Sequence, residues 1–140
     1  MKRFSFLLSV LTLFVIISCS SDDDNYESKL SGKWVCKSAS TTVIDLTTNE
    51  EVQGPFIGVI EDGSMLYFYD EGRLRYEWQG ITSNSDYKLS DNNIEFYIEG
   101  GRCKYRIDEI TSSRLSLYRE DYYQKNNRKL INKAQFEKTY

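Results

Sequence analysis

Three cysteines, no histidine and a few adjacent carboxylates are what this 140-residue sequence offers to chemistry. Without histidine there is no Ser-His-Asp or Cys-His nucleophile, and no histidine-containing zinc site. Cys19 stands apart near the N-terminus, which leaves Cys36 and Cys103, too few thiols for a tetrathiolate metal centre. Neither a C-x-x-C redox pair nor a glycine-rich phosphate loop is present. Four acidic pairs, Glu50-Glu51, Glu61-Asp62, Asp108-Glu109 and Glu120-Asp121, raise the question of glycoside hydrolysis. That reaction needs two carboxylates facing each other about 5 to 9.5 Å apart across a cleft. Adjacent residues on a strand point to opposite faces, and most of these pairs sit in or beside turns, so they read as solvated turn charge. The aspartates at 22–24 lie in a polar segment without the preplaced oxygens of a tight calcium site. The expectation is a protein that is not an enzyme and uses no cofactor and no metal.

Cys19 has chemistry of another kind. Lys2 and Arg3 precede a nearly unbroken apolar stretch from Phe4 to Ile17, 14 residues long. A membrane-spanning helix needs roughly 20 apolar residues, so this stretch is short and has the flanks of a secretory signal. The tetrapeptide "IISC" resembles the lipobox of bacterial lipoproteins, which implies cleavage of residues 1–18 and acylation of the Cys19 thiol. Each buried methylene contributes about 0.8 kcal/mol, so two or three palmitate-like chains hold such a protein on a membrane. The following "SSDDD" resembles the export signal of Bacteroidota-type lipoproteins. It implies anchoring on the outer membrane with exposure at the cell surface, the periplasmic face being the alternative. Residues 19–29 then read as a lipidated acidic tether, because they offer little to bury and their like charges repel.

Aromatic residues are the remaining resource. Eleven tyrosines are many for this length, and tyrosine combines apolar area with a polar tip that suits ligands, sugars and protein surfaces. Tyr67, Tyr69, Tyr76, Trp78, Phe96 and Tyr105 are the candidates to line a ligand cavity, with Tyr87 and Tyr97 as further members of a lining or an outer patch.

The elements that must position them are strands. Turn signals recur at 61–63, 70–72, 90–93, 99–101, 111–113 and 125–127, a spacing typical of all-β sandwiches and barrels. Between them the period is two. Ile94, Phe96 and Ile98 oppose Glu95, Tyr97 and Glu99; Cys103, Tyr105 and Ile107 oppose Arg102, Lys104 and Arg106; Leu74, Tyr76 and Trp78 oppose Arg73, Arg75 and Glu77. Pro55 stands near the start of the run "PFIGVI", where a missing N–H is tolerable, and 40–55 reads as a long irregular segment. An up-and-down meander of about eight strands follows, and closing it into a barrel would remove its exposed edges. The expected core is Trp34, Leu66, Phe68, Leu74, Tyr76, Trp78, Leu89, Ile94, Phe96, Ile98, Tyr105, Ile107, Leu115 and Leu117. Cys36 and Cys103 both point inward, either as a disulfide or as two small apolar fillers. The second is favoured, since first and sixth or seventh strands are not neighbours in a meander.

"LSGKW" (30–34), which opens the first strand after the tether, resembles the Gly-x-Trp of lipocalin-like domains in secreted and anchored bacterial proteins. "MLYFYDEGRLRYEW", "DYKLSDNNIEFYI" and "YRIDEITSSRLSLYRED" fit the same series, so the resemblance spans 30–140. It implies that Trp34 plugs the base of the barrel under a cation, either Arg119 or Lys138. The Thr-Asp-Tyr type turn of lipocalins proper is missing, so the resemblance is to the broader lipocalin-like group.

Charge narrows the partners. Loss of residues 1–18 takes the 18 basic residues to 16 against 21 acidic ones, a formal charge of −5. An acidic protein without a dominant basic stripe is poorly suited to nucleic acid, and the basic run 124–133 reads as a solvated loop leading into a strand. The combined expectation is a lipid-anchored, monomeric, non-enzymatic binding protein. Its partners would be the membrane and a small apolar or aromatic ligand, or a glycan, at the open end of the barrel. An interior filled by its own side chains would make it an accessory protein-interaction module instead.

Overall fold

In the computed structural model of the chain, residues 22–54, 56 and 59–140 are described. They form a helix, α1 (Asp22–Leu30), and ten strands. These are β1 (Gly32–Asp45), β2 (Glu50–Glu51), β3 (Met65–Tyr69), β4 (Arg73–Trp78), β5 (Ile81–Asp86), β6 (Lys88–Ser90), β7 (Asn93–Ile98), β8 (Gly101–Ile110), β9 (Arg114–Tyr123) and β10 (Arg128–Thr139). Every pairing is antiparallel, in the order β5-β4-β3-β1-β10-β9-β8-β7-β6, with β2 on the side of β1.

β5 and β6 are two halves of one ribbon. The first pairs with β4 and the second with β7. The switch falls at Tyr87, whose N–H donates to the Gly72 carbonyl at 2.7 Å. Taken as one stave, with β2 as a short extension, they complete an eight-stave meander whose first stave, β1, pairs with its last, β10. Beside β7, β5 makes no ladder but a side-chain seam. Ser85 Oγ accepts from the Tyr97 N–H at 3.0 Å, and Ser83 Oγ accepts from the Glu99 N–H at 3.1 Å. The all-β barrel is therefore nearly closed, as the turn spacing predicts.

The alternating residues land where the period of two places them. Leu74, Tyr76, Ile94, Phe96, Ile98, Cys103, Tyr105 and Ile107 are buried, while Trp78 and Leu89 pack partly exposed at the edge of the core. Tight turns at Gln79-Gly80 and Glu99-Gly100 hold two consecutive positive φ angles each, the geometry that matches strand twist.

Two expectations need correction, and one segment adds to the core. The segment read as an extended tether is helical from Asp22, because Tyr26 and Leu30 stand one turn apart and pack together against the core. Residues 40–45, read as irregular, belong to β1, since β10 is long enough to pair with β1 as far as Asp45. The described part of 52–64 contains no strand; Ile60 from this segment is instead fully buried in the core. Pro55, the signal segment 1–18 and Cys19 lie outside the described residues.

Candidate binding site

The base of the barrel is shut. Trp34, the second residue after Gly32 on β1, is fully buried, and its indole N–H donates to the Leu30 carbonyl at 2.7 Å. Lys138 Nζ lies 5.1 Å from the centre of the Trp34 ring and donates to the Lys29 carbonyl at 3.0 Å. Of the two cations the sequence leaves open as the cover of Trp34, Lys138 is the one in place. The glycine of the Gly-x-Trp motif has a physical reason: Gly32 holds φ +117°, and a Cβ there would stand 3.0 Å from Lys138 Cε.

Above the base, side chains fill the interior. Phe96 lies nearly parallel to Tyr105, ring centres 5.9 Å apart, and the Phe68 and Tyr87 rings meet edge to face at 5.2 Å. Tyr76 donates its hydroxyl hydrogen to the Val59 carbonyl at 2.9 Å, tying the 52–64 segment to the wall. A polar layer crosses the barrel higher up. Buried Asn132 on β10 accepts from the Tyr105 hydroxyl at 3.0 Å and donates to Thr41 Oγ1 at 3.0 Å and the Ser40 carbonyl at 3.2 Å. Its partner in the β9 ladder is Arg119, whose guanidinium sits 5.7 Å from the Tyr105 ring centre.

At this layer the wall divides. β8 and β9 pair only from Arg106–Tyr118 downward, while the rest of β8 follows β7 and the rest of β9 follows β10. Between them lies a cleft of about 500 Å³, lined by Asn93, Arg102, Lys104 and Arg106 on one side and Tyr118, Arg119, Glu120 and Asp121 on the other. Arg119 shares the inward face with Leu115 and Leu117, and its side chain is only 16% exposed. Asp121 holds its Nε–H at 2.6 Å, and Nη1 is buried with no hydrogen-bond partner. On the rim Arg102 pairs with Glu95 at 2.7 Å and Arg106 with Asp108 at 2.5 Å.

The carboxylates of this cleft are engaged. Glu120 accepts from the hydroxyls of Tyr118 and Tyr122. Those two hydrogen bonds hold the Glu120 carboxyl below its usual range, and the bond to Glu120, with burial second, pushes the Tyr118 phenol up to about 12. A second cleft of about 650 Å³ lies near the β4–β5 edge, bordered by Tyr69, Arg73, Leu74, Asn84, Ser85 and Asp86. Its charged walls, Arg73 and Asp86, face each other across the β4–β5 ladder and balance.

Of the residues expected to line a cavity, Tyr76, Trp78, Phe96 and Tyr105 turn inward and pack the core. Tyr67 and Tyr69 do not. On β3 it is Leu66 and Phe68 that are buried, so both tyrosines take the outer face, stacked at 6.5 Å, with Lys33 and Arg75 over Tyr67. Cys36 and Cys103 are buried and free, on staves separated by β10 and β9. Burial pushes the Cys36 thiol up to about 11. It raises Cys103 as well, with Arg119 opposing.

The residues that sequence reasoning missed are Arg119, treated there as a cover for Trp34, and Asn132, assigned to a basic loop. Strand parity could have found both: Arg119 is in phase with Leu115 and Leu117, and Asn132 with Ala134 and Phe136. No group of three or more acidic or thiol side chains that could hold a metal ion occurs among the described residues.

Eight antiparallel staves in meander order, closed first upon last and plugged at one end by a tryptophan under a lysine, define a lipocalin-like barrel. Among solved structures the chain is similar to a lipocalin-like protein from Bacteroides uniformis, with 15% identity over 79% of this chain and 99% of that one and a TM-score of 0.45. It is also similar to bovine odorant binding protein, solved in complex with a selenium-containing odorant, with 17% identity over 81% and 73% of the two chains and a TM-score of 0.49. No protein-family description and no curated protein matches the sequence.

Proposed function

We propose that this protein is a lipid-anchored, non-enzymatic binding module that takes a small ligand with an apolar or aromatic body, or a glycan, into the upper half of its barrel. The observation that carries this reading is the parting of β8 from β9 above the Arg106–Tyr118 pair, which opens a cleft of about 500 Å³ beside the interior polar layer. Ligand sites are concave with a few convergent polar groups; here the lining is polar and charged, and the Tyr118 ring is its aromatic surface. Acylation at Cys19 and a position on the outer membrane, facing the cell surface, are supported by the "IISC" and "SSDDD" segments. The module acts as a monomer.

Native mass spectrometry on the mature chain, carrying Cys19→Ser and purified from its host without detergent, tests the binding. A discrete non-covalent adduct is expected and would identify the cargo class by mass. A clean apo mass, together with no uptake of added hydrophobic dyes, would overturn the reading. Metabolic labelling with an alkyne fatty acid tests the anchor: the wild type should carry label and Cys19→Ser should not.

One observation favours a second reading. The barrel interior up to the polar layer is packed with Trp34, Phe68, Tyr76, Phe96, Tyr105 and Phe136. A filled barrel would serve as an accessory module, presenting the outward Tyr67–Tyr69 face and its cations to a protein. Crosslinking on intact cells through a photoreactive residue at position 69 should then capture one defined partner, and an empty lane counts against this reading.

A further inference from the structure

We propose that the barrel stands on the membrane by its closed base, with α1 as a fixed mount between the acyl anchor and the Trp34 plug, so that the divided upper wall opens to the aqueous medium. This rests on the acylation of Cys19 read above and adds which end of the barrel meets the lipid surface.

The topology defines the two ends. Turns 70–72, 91–92 and 111–113 lie at the base with the start of β1 and the end of β10, where the Lys138 N–H donates to the Ser113 carbonyl at 2.9 Å. Turns 46–49, 79–80, 99–100 and 124–127 lie at the top. There the Leu46 N–H donates to the Asn127 carbonyl at 2.8 Å, and the Asn127 amide donates to Thr47 Oγ1 at 2.7 Å. Helix α1 belongs to the base. Tyr26 and Leu30 pack against the core, and the Leu30 and Lys29 carbonyls accept from the Trp34 indole and from Lys138. Its Glu27, Ser28 and Ser31 border a small cleft with Tyr69, Asp70 and Tyr87 at the β3–β4 turn. The helix is therefore part of the plug rather than a swivel.

Length does the rest. Cys19 and Asp22 are three residue steps apart, which no conformation stretches beyond about 11 Å. The nine residues of α1 add about 13 Å. An acylated Cys19 thus stays within about 24 Å of Leu30. The fourteen residues of β1, rising about 3.3 Å each at a tilt of about 40°, carry the wall some 35 Å above the base. The anchor reaches the base and falls short of the top. Had 19–29 been the extended tether expected from the sequence, it would have spanned about 36 Å and let either end face the lipid. Nor is a wall built to lie on the bilayer. The exposed aromatic and apolar side chains, from Tyr69 near the base to Tyr97 on β7 and Leu46 and Tyr122 near the top, are scattered. With the base down, the β8–β9 cleft faces the medium, and its ligand arrives as a solute rather than as a lipid drawn from the bilayer.

The acylated chain, reconstituted into phosphatidylethanolamine–phosphatidylglycerol vesicles with a fluorescent acceptor on some headgroups, tests this. Acylation occupies Cys19 and burial shields Cys36 and Cys103, so a donor dye goes to a cysteine on an exposed turn. Ser112→Cys serves at the base and Asn126→Cys at the top. Energy transfer from position 112 should be several-fold more efficient than from 126. A flexible Gly/Ser linker of about twelve residues between Ser21 and Asp22 should erase most of that difference. Equal transfer from the two positions without the linker, or more from 126, overturns the proposal, and so does a linker that changes nothing. Acetylation of surface lysines needs no substitution in the barrel. On vesicles Lys88, near the base, should react several-fold more slowly than in the Cys19→Ser chain free in solution, while Lys125, at the top, keeps its rate. Should a dye-labelled variant fail to fold, judged by circular dichroism, the two lysines decide, and equal slowing of both rejects the mount. Intact mass reports the acyl chains separately. An unacylated chain sinks the anchor reading and the mount with it, whereas an acylated chain whose two ends lie equally near the lipid sinks the mount alone.

Discussion

Lys138 at the base and Arg119 in the upper half are both cations brought to the inner side of the barrel by long strands, yet their surroundings differ. Lys138 is answered on two sides, by the Lys29 carbonyl and the Trp34 ring, beneath a wall whose strands are fully laddered. Arg119 is answered by Asp121 and the Tyr105 ring, beside a wall that has come apart, and its inward Nη1 makes no hydrogen bond. Buried polar groups are nearly always paired in folded proteins. The base obeys that rule internally and needs nothing further. The upper half departs from it at one inward N–H of Arg119. The comparison separates a region built for stability from one that retains binding capacity.

The most damaging way to break the base is Trp34→Ala. It empties a fully buried site and removes the indole N–H that the Leu30 carbonyl accepts. The expected cost is about 3–5 kcal/mol, read as a lower urea midpoint, with the helix signal of α1 lost along with the barrel. A loss under about 1 kcal/mol would mean that the plug does not close the base.

The two thiols extend the comparison to pH. Cys36 lies two residues along β1 from Trp34, and its folded pKa of about 11 stands above the ordinary value of 9.0 because burial disfavours the thiolate. The unfolded thiol ionises first, so this contribution is complete below pH 9 and is lost as pH climbs from 9 through 11. Relative to Cys36→Ala, the wild type should lose on the order of 2–3 kcal/mol across that window. Cys103 is raised by burial too, but Arg119 opposes the shift and the divided wall is beside it. Iodoacetamide at pH 8 should therefore label Cys103 several-fold faster than Cys36, with peptide mapping as the readout.

These elements differ in how far the chain itself declares them. The strands of β4, β7 and β8 were legible because alternation of apolar and polar residues is a local signal; the plug was legible only through the resemblance of its Gly-x-Trp, to which the structure adds the Gly32–Lys138 approach. Helix α1 was hidden, since only Tyr26 and Leu30 mark its buried face, too few residues to show a period. The site was hidden for a different reason. The cleft exists because β8 and β9 stop pairing above Arg106–Tyr118, and register between strands is a tertiary property that neither strand's sequence states. Tyr67 and Tyr69 went astray because all five residues of β3 are large and apolar or aromatic, which leaves no alternation to say which face is wet.

Exchange of the two cations for a neutral side chain sharpens the contrast at smaller amplitude. Lys138→Met keeps the stem but removes the hydrogen bond to the Lys29 carbonyl and the charge over Trp34. The expected loss is about 1–2 kcal/mol. Arg119→Met deletes an unpaired buried N–H together with its pairing to a partly exposed Asp121, so the two effects oppose and stability should stay within about 1 kcal/mol of wild type. Equal losses in the two variants would erase the distinction between the regions.

The smallest effect belongs to the outer face. Tyr69 is 44% exposed, stacks on Tyr67 and touches none of the interior polar layer. Tyr69→Ser gives up part of one stacking contact at the surface, where substitutions generally stay within about 0.5 kcal/mol. Dye binding at the β8–β9 cleft should be untouched, because β3 and that cleft lie on different parts of the wall, separated by β1 and β10. A variant that kept its stability but lost the partner captured through a photoreactive residue at position 67 would move the function to this face. A variant that lost dye binding would show that the aromatic wall and the cleft are coupled through the barrel, and the separation of a stable region from a receptive one would have to be redrawn.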